Sequence, residues 1–270
     1  VLCQAKGAFL DEIPAGATMI ELEATGGLRT RWIIARSNLQ DFFIRLRPVL
    51  LAKKTAPEVA SIRSLQRYIV ASQPDVILSA LPYANLSAIW AKELSGSRVP
   101  VIVSERIALL SYCAAPSNSR KWRWRYLPEL VRRTYPRADR VIAVSDHVAN
   151  ELITTIGLSK DSVVAVPNPV VDGALRACAQ QALAHPWFTQ DGPPVILAAG
   201  RLTEQKDFAT LIHAFAAVRT DREARLVILG EGRLRDDLEQ LVCTLGIQAD
   251  VYMPGFVENP FQYMARASVL

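Results

Sequence analysis

The sequence predicts an α/β protein built from two doubly wound, Rossmann-like domains, and three observations carry that expectation. Short, continuously apolar runs alternate with amphipathic runs at helical spacing, the pattern of parallel strands covered on both faces. The alternation occurs twice along the chain. Between the two stretches, from Pro167 to Pro194, it breaks into PNPVV, an alanine-rich piece and HPWFTQDGPP, the composition of an interdomain connection. The expected boundaries are an N-terminal domain over 1–170, a linker over 171–193 and a C-terminal domain over 194–270.

The elements follow in order. After a mixed opening, EVASIRSLQRYIVAS (Glu58 to Ser72) sets Val59, Ile62, Leu65 and Ile69 at helical spacing. A Gln73-Pro74-Asp75 turn leads into the apolar run VILSA, and Asn85 is placed to cap the next helix, NLSAIWAKEL. VPVIVSE (Val99 to Glu105) is the following strand, then a loop to about Ser119, a basic helix, and the strand RVIAVS (Arg140 to Ser145). Ser145 can cap DHVANELITTI, which stops at Gly157, and SVVAVP is another strand. Beyond the break come VILAAG, the helix DFATLIHAFAAVR with Phe208, Leu211, Ile212, Phe215 and Val218 on one stripe, and the strand RLVILGEG. The helix RLRDDLEQLVCTLG, the strand VYMPG and a helix opened by Pro260 complete the pattern.

Composition narrows the class. At 270 residues, 50% hydrophobic and 21% charged, the chain carries ample core for two domains and is not a disordered polymer. No apolar run approaches the roughly 18 residues of a membrane span, and VLCQAKGAFLDE lacks the features of a signal peptide, so a cytoplasmic chain is expected. Cys3, Cys113, Cys178 and Cys243 lie far apart without a C-x-x-C pair, which suggests neither a zinc site nor a disulfide framework; no metal is expected. Val1 and the closing ASVL, where an apolar strand starts, make both ends read as cut from a longer protein.

The net charge of +5 is concentrated. RKWRWRYLPELVRRTYPRADR, from Arg120 to Arg140, holds eight basic residues against Glu129 and Asp139, interleaved with Trp122, Trp124, Tyr126 and Tyr135. Such a segment suits a nucleic-acid patch or a membrane-surface face, or it is a solvated helix face whose aromatics pack inward.

In an open parallel sheet ligands bind outside the carboxyl ends of the strands, where helix N-termini aim their amides outward. Gly200-Arg201 leaves one apolar strand there, and Lys206 stands just before Asp207, which opens the next helix. A forked donor and a point charge so placed suit a diphosphate. Gly230 and Gly232, around Glu231, end the next strand and let backbone approach a ligand. An ordinary tight turn and a solvated loop are the bland alternatives. Neither G-x-x-x-x-G-K-[ST] nor G-x-G-x-x-G between strand and helix occurs, so a P-loop hydrolase or a dinucleotide dehydrogenase is not supported.

GRLTEQKDFATLIHAFAAV, LVILGEGRLRDDLE and MPGFVENPFQYMARA resemble the donor-binding domain of GT-B-fold glycosyltransferases of family four, retaining enzymes that use nucleotide sugars. SERIALL, RVIAVSDHVANELI and VPNPVV are similar to the acceptor-side domain and its crossover in the same family. The resemblance implies that Arg201 and Lys206 hold the donor diphosphate, that Gly200 and the Gly230-Glu231-Gly232 loop lie beside the nucleotide, and that Gly255, Phe256 and Val257 lie near the base. It implies a UDP- or GDP-sugar as substrate, no cofactor, and a glycan or lipid-linked acceptor of cell-surface polysaccharide synthesis; the basic Arg120 to Arg140 segment is the candidate for peripheral contact with the inner face of the plasma membrane. No nucleic-acid partner is expected. The family's paired-glutamate motif would fall beyond Leu270, and its first strand and glycine-rich loop before Val1. Residues 1–270 alone are therefore expected to be inactive, with an incomplete second domain. The catalytic acceptor-side group is not assignable; Ser104, Glu105 and Arg106, leaving a strand end, are candidates, and Asn85 is a weaker acceptor-side one. His147, His185 and His213 receive no role. A sugar-nucleotide epimerase of the same architecture and a non-catalytic nucleotide or polyanion binder using the basic segment are the rival readings.

Overall fold

The structure is a computed structural model that describes residues 13–25, 27–37, 42–51, 55–171, 173–188 and 192–270. Cys3 and the opening VLCQAKGAFLDE lie outside the described residues. The chain divides into two compact units, Val1–Asn168 and Pro169–Leu270.

The first unit contains a four-stranded parallel sheet: β1 (Ile77–Ala80), β2 (Val101–Glu105), β3 (Arg140–Ala143) and β4 (Val163–Ala165), in spatial order β1-β2-β3-β4. Helix α1 (Gly27–Ser37) falls in the opening that the sequence left unassigned. Arg45, which follows it, is buried; its guanidinium lies 4.7 Å over the Trp90 ring, donates to the Ile34 carbonyl at 3.1 Å and stands 4.0 Å from Glu93 Oε2, so a π face, a backbone acceptor and a carboxylate hold the charge. The stripe expected over Glu58 to Ser72 breaks at Ser61 into a single turn, Pro57–Ala60, and helix α2 (Ile62–Ser72).

Helix α3 (Pro82–Ser95) corrects the capping assignment. Proline fits the first helical turn because its fixed φ is already helical and its missing N–H has no partner to lose. The helix therefore starts at Pro82, with Leu81 at the cap position, and Asn85 sits inside it. The loop expected before Ser119 holds helix α4 (Leu109–Ala114) and the turn Pro116–Ser119. The basic helix is divided into the turn Trp122–Arg125 and helix α5 (Leu127–Thr134), which Pro128 opens. Ser145 caps helix α6 (Asp146–Thr154) as expected, its Oγ accepting from the Val148 N–H at 3.3 Å.

Sheet register explains the burial. Val101, Val103, Val141, Ala143 and Val163 share one face and are buried, whereas Leu78 and Val164 on the opposite face are 67% and 46% exposed. Among the described residues, only one face of this sheet is fully covered. A run of strands stepping in one direction accounts for it, because right-handed crossovers then place their helices on one side.

The second unit meets the two-sided expectation. Its parallel sheet is β5 (Val195–Ala199), β6 (Arg225–Leu229) and β7 (Val251–Gly255), in order β5-β6-β7. Ile196, Leu226 and Ile228 pack under helices α8 (Phe208–Asp221) and α9 (Arg235–Thr244), with Phe208, Ile212 and Phe215 supplying the expected stripe. Val195, Leu197, Val227 and Leu229 pack on the other side against Trp187, Phe188, Val257 and Tyr263. The expected linker is thus part of this unit: helix α7 (Gly173–Gln180) receives Asn259 Nδ2 on the Cys178 carbonyl at 2.8 Å, and Trp187 and Phe188 cover the sheet. Helix α10 (Phe261–Met264) follows Pro260. Val269 pairs in parallel with Ile196, and its carbonyl accepts the Leu197 N–H at 2.8 Å, on the edge of β5 away from β6. The chain steps outward from β5 to β7 and then returns to the far side of β5, so the strand order reverses there.

Candidate functional site

Strand reversal gives the second sheet a switch point at the carboxyl end of β5, the position where open α/β sheets leave a crevice for ligands. The turn Gly200 to Lys206 rises from that end. Three loops at this edge are joined by backbone hydrogen bonds. Gly200 N–H donates to Leu229 O at 2.9 Å, Leu202 N–H to Glu231 O at 3.0 Å, and Gly230 N–H to Gly255 O at 2.8 Å.

The closeness of these loops requires glycine. Gly230 has φ +132°, and a Cβ built there would stand 2.0 Å from the Gly200 carbonyl oxygen. At Gly232 a Cβ would stand 2.3 Å from the Leu202 carbonyl oxygen. Any side chain at either position would part the β5 and β6 loops.

Arg201 and Lys206 are both exposed, and neither side chain has an ion-pair or hydrogen-bond partner among the described residues. The stem of Lys206 lies against Gly200, where a Cβ would come 3.3 Å from Cε, so the ammonium is held close to the turn that carries Arg201. Neighbouring cations are already neutralised: Arg233 pairs with Glu204, and Arg235 with Glu231 at 2.7 Å. Arg235 also donates to the Met253 carbonyl at 2.7 Å, so Glu231 and Arg235 buttress the β6 and β7 loops. Asp207, at the cap position of α8, has φ +49°, and its Oδ2 accepts from the Thr210 hydroxyl at 2.9 Å, with no side chain capping a backbone amide. The first amides of α8 are thus without a side-chain cap. Of the three residues expected near a base, Gly255 is buried with φ +92°, Val257 packs into the sheet core, and Phe256 is 70% exposed.

The first unit gathers its candidates at the carboxyl end of β2. Ser104 and Glu105 are buried there, at 5% and 0% exposure, while Arg106 is exposed and donates to Asn168 Oδ1 at 2.5 Å. Asn85 is also fully buried. Its Nδ2 donates to the Ser104 carbonyl and to the Tyr135 hydroxyl, both at 2.9 Å, and the Tyr135 hydroxyl donates to Glu105 Oε2 at 2.7 Å. Asn85, Ser104 and Glu105 therefore have no surface to offer a large acceptor directly; Arg106 alone does. Burial pushes the Glu105 carboxyl up to about 7, against the opposing bond from Tyr135. Burial also holds the Tyr135 hydroxyl well above its ordinary value and, with Glu105 and Glu151 nearby, pushes the Cys113 thiol up to about 11. Tyr135 was missed as a site residue because it lies 30 positions from its carboxylate partner, beyond any spacing pattern. Leu81, with φ +79° at the carboxyl end of β1, was also missed; it is a strained turn residue at the same edge.

The basic segment divides. Trp124 packs edge-on to Tyr83 and Tyr112, Tyr135 is buried, Arg132 and Arg133 pair with Glu129, and Arg137 pairs with Glu93. Arg120, Lys121 and Arg125 remain exposed, beside Trp122 at 46% exposure. Among the described residues no group of three or more His, Cys, Asp or Glu could hold a metal ion, and no helix is long and apolar enough to cross a membrane.

Comparison with known proteins bears on both units. The profile of Glycosyltransferase Family 4 matches residues 32–172, just over half of the chain, and that of Glycosyl transferases group 1 matches residues 193–270. An N-acetylgalactosaminyltransferase of Campylobacter jejuni, named for N-acetylgalactosamine-N,N'-diacetylbacillosaminyl-diphospho-undecaprenol, is 34% identical over 51% of this chain and 35% of its own. A second C. jejuni enzyme, an α-1,4-N-acetyl-D-galactosaminyltransferase named for a related undecaprenol-linked saccharide, is 28% identical over 82% of this chain and 55% of its own. The chain thus spans about a third to about half the length of these relatives. The crystal structure of Anabaena HepE in complex with UDP-glucose superposes with a TM-score of 0.56 at 16% identity, covering 92% of this chain and 70% of that one, a likeness of fold.

Proposed function

The chain belongs to glycosyltransferase family 4, and from that premise we propose that the protein moves a sugar, with retention, from a nucleoside-diphosphate sugar to a lipid-linked or polysaccharide acceptor. The observation that carries the donor reading is the pair of cations without side-chain partners among the described residues, Arg201 and Lys206, at the carboxyl end of β5 beside the strand reversal.

Their chemistry suits the bond that breaks. As the glycosidic bond to the diphosphate lengthens, negative charge gathers on the leaving phosphate oxygens, and donors already in place stabilise it without reorganisation. Arg201 offers a fork and Lys206 a point charge, and the open amides at the start of α8 add partial positive charge. The exposed Phe256 ring is a platform for a base, and the tight Gly230 and Gly232 loops bring backbone close to the nucleotide. A cofactor or metal is not needed for this assignment. The acceptor side falls to the first unit, with Arg106 the exposed group at its β2 edge. Arg120, Lys121, Arg125 and Trp122 form a surface suited to anionic lipid, which would bring a lipid-linked acceptor within reach from the cytoplasmic leaflet.

Calorimetric titration of the full-length protein with UDP, GDP and the bare nucleosides tests the clamp. Arg201→Ala and Lys206→Ala are each expected to weaken the bound nucleoside diphosphate by about 1.5 kcal/mol or more, tenfold or greater, and the nucleoside hardly at all. Equal losses for both ligands would remove the clamp.

A further inference from the structure

Glu105 is a buried carboxyl that pairs with no side-chain cation among the described residues. Its side chain is 0% exposed, Oε2 accepts from Tyr135, and Oε1 has no hydrogen-bond partner among the described residues. Asn85 Oδ1, at the other end of the same chain of hydrogen bonds, is also buried without a partner. Among the described residues the groups that bear on Glu105 are Tyr135 after α5, Asn85 on α3 through Tyr135, the Arg106 backbone N–H, Cys113 on α4, and Glu151 on α6, whose own carboxylate accepts the Leu110 N–H at 3.2 Å. None of these is a side-chain cation, and Glu151 is a like charge. An ionised Glu105 would therefore be a buried charge without a counter-ion, supported only by the Tyr135 hydroxyl and the Arg106 N–H and outweighed by its desolvation, while a neutral carboxyl keeps an acceptor oxygen for Tyr135.

The network ends on the chain's candidate edge. Asn85 holds the Ser104 carbonyl, Tyr135 holds Glu105, and the next residue is the exposed Arg106. We infer that Glu105 is a positioning residue: in its neutral form it locks the Ser104–Arg106 turn at the carboxyl end of β2 through Tyr135 and Asn85, and its ionisation releases that turn. The inference rests on the reading that this edge serves the acceptor side.

The direction with pH follows from linkage. The carboxyl lies near 7 when buried and near 4.5 when exposed, so the closed turn binds the proton more tightly than the open one. Its stabilisation is complete below the exposed value and is lost as pH rises through the buried one.

Hydrogen exchange of the full-length protein reads this without donor or acceptor, so its outcome is independent of the transferase reading. After correction for intrinsic rates, protection of the amides around Arg106 is expected to fall by up to about tenfold per pH unit, roughly fortyfold between about pH 5 and about pH 7, then level off. Glu105→Gln, which cannot ionise, is expected to leave protection flat across that range. A variant with the same pH dependence as the wild type, or a flat wild type, overturns the inference. Carbon-13 NMR of the wild-type side-chain carboxyls covers the case of a variant that does not fold: the Glu105 signal should titrate near neutrality, and a midpoint at an ordinary carboxylate value overturns the inference unaided.

Discussion

Replacing Gly230 with alanine tests whether the site depends on the approach of the β5 and β6 loops. Two costs add. At φ +132° an alanine sits in backbone territory nearly reserved for glycine, a strain of about 1–3 kcal/mol. Its Cβ would also stand 2.0 Å from the Gly200 carbonyl oxygen, so the loops must separate by more than an ångström. That movement strains the Gly200 to Leu229 and Gly230 to Gly255 hydrogen bonds, each worth about 1 kcal/mol net. The sum is about 4 kcal/mol, a large fraction of the stability of a domain this size.

Gly246 supplies the control. It has φ +68°, and a Cβ there meets nothing within 4 Å, so Gly246→Ala carries the backbone cost, about 1 kcal/mol, without the collision. Native-state hydrogen exchange on the amides of β5 and β6 separates the two. Exchange should accelerate about a thousandfold for Gly230→Ala and about tenfold or less for Gly246→Ala. Similar effects from the two substitutions would show that the collision is relieved at no cost, and the account of the joined loops would fail.

Two further outcomes follow. If the exposed basic cluster meets anionic lipid, vesicle binding should require acidic lipid, fade with salt, and weaken about thirtyfold when Arg120 and Lys121 are both replaced by alanine, at about 1 kcal/mol per residue; binding indifferent to lipid charge would assign that face to solvent. His185 stacks 4.7 Å from Tyr252, accepts the Trp187 N–H at 3.2 Å, and is held below its ordinary 6.5 by burial, so it protonates more readily in the unfolded chain. Its contribution should be complete above about pH 6.5 and lost as pH falls through the lowered value, and urea midpoints of His185→Phe should lack that acid-side loss.

Much of the second unit was legible because its physics is local. VILAAG and RLVILGEG read as strands since a parallel strand covered on both faces must be apolar throughout, and the stripe of Phe208, Ile212 and Phe215 is the inward face of a helix. The Arg201 and Lys206 turn was visible for the same reason: cations at a strand-to-helix junction stand out against apolar flanks. What the sequence hid was longer-ranged. Pro82 moved the start of α3 three residues ahead of Asn85 and so turned a presumed cap into an interior residue, and the partners that then held it, Ser104 and Tyr135, lie 19 and 50 positions away. The reversal of strand order depends on Val269 meeting Ile196, a pairing across the whole second unit that no window of sequence contains.

The two strand-end sites differ in a way that bears on their work. At β5 Arg201 and Lys206 face outward with no side-chain partner among the described residues, although Glu204 and Asp207 of the same turn are paired. At β2 Asn85, Tyr135 and Glu105 face inward and bond to one another and to the Ser104 carbonyl, so they can act only by fixing the backbone that carries Arg106. A donor with a diphosphate needs the first arrangement, because neutralising a leaving group requires charge that is not already paired. An acceptor hydroxyl carries no charge to bind, and holding it in place is a matter of geometry. Tyr135→Phe separates these roles: it removes the hydroxyl that links Asn85 to Glu105 while leaving every group at the β5 edge untouched. Nucleoside-diphosphate affinity should be unchanged by it, while exchange at Arg106 should quicken, and a loss of nucleotide binding would contradict the division.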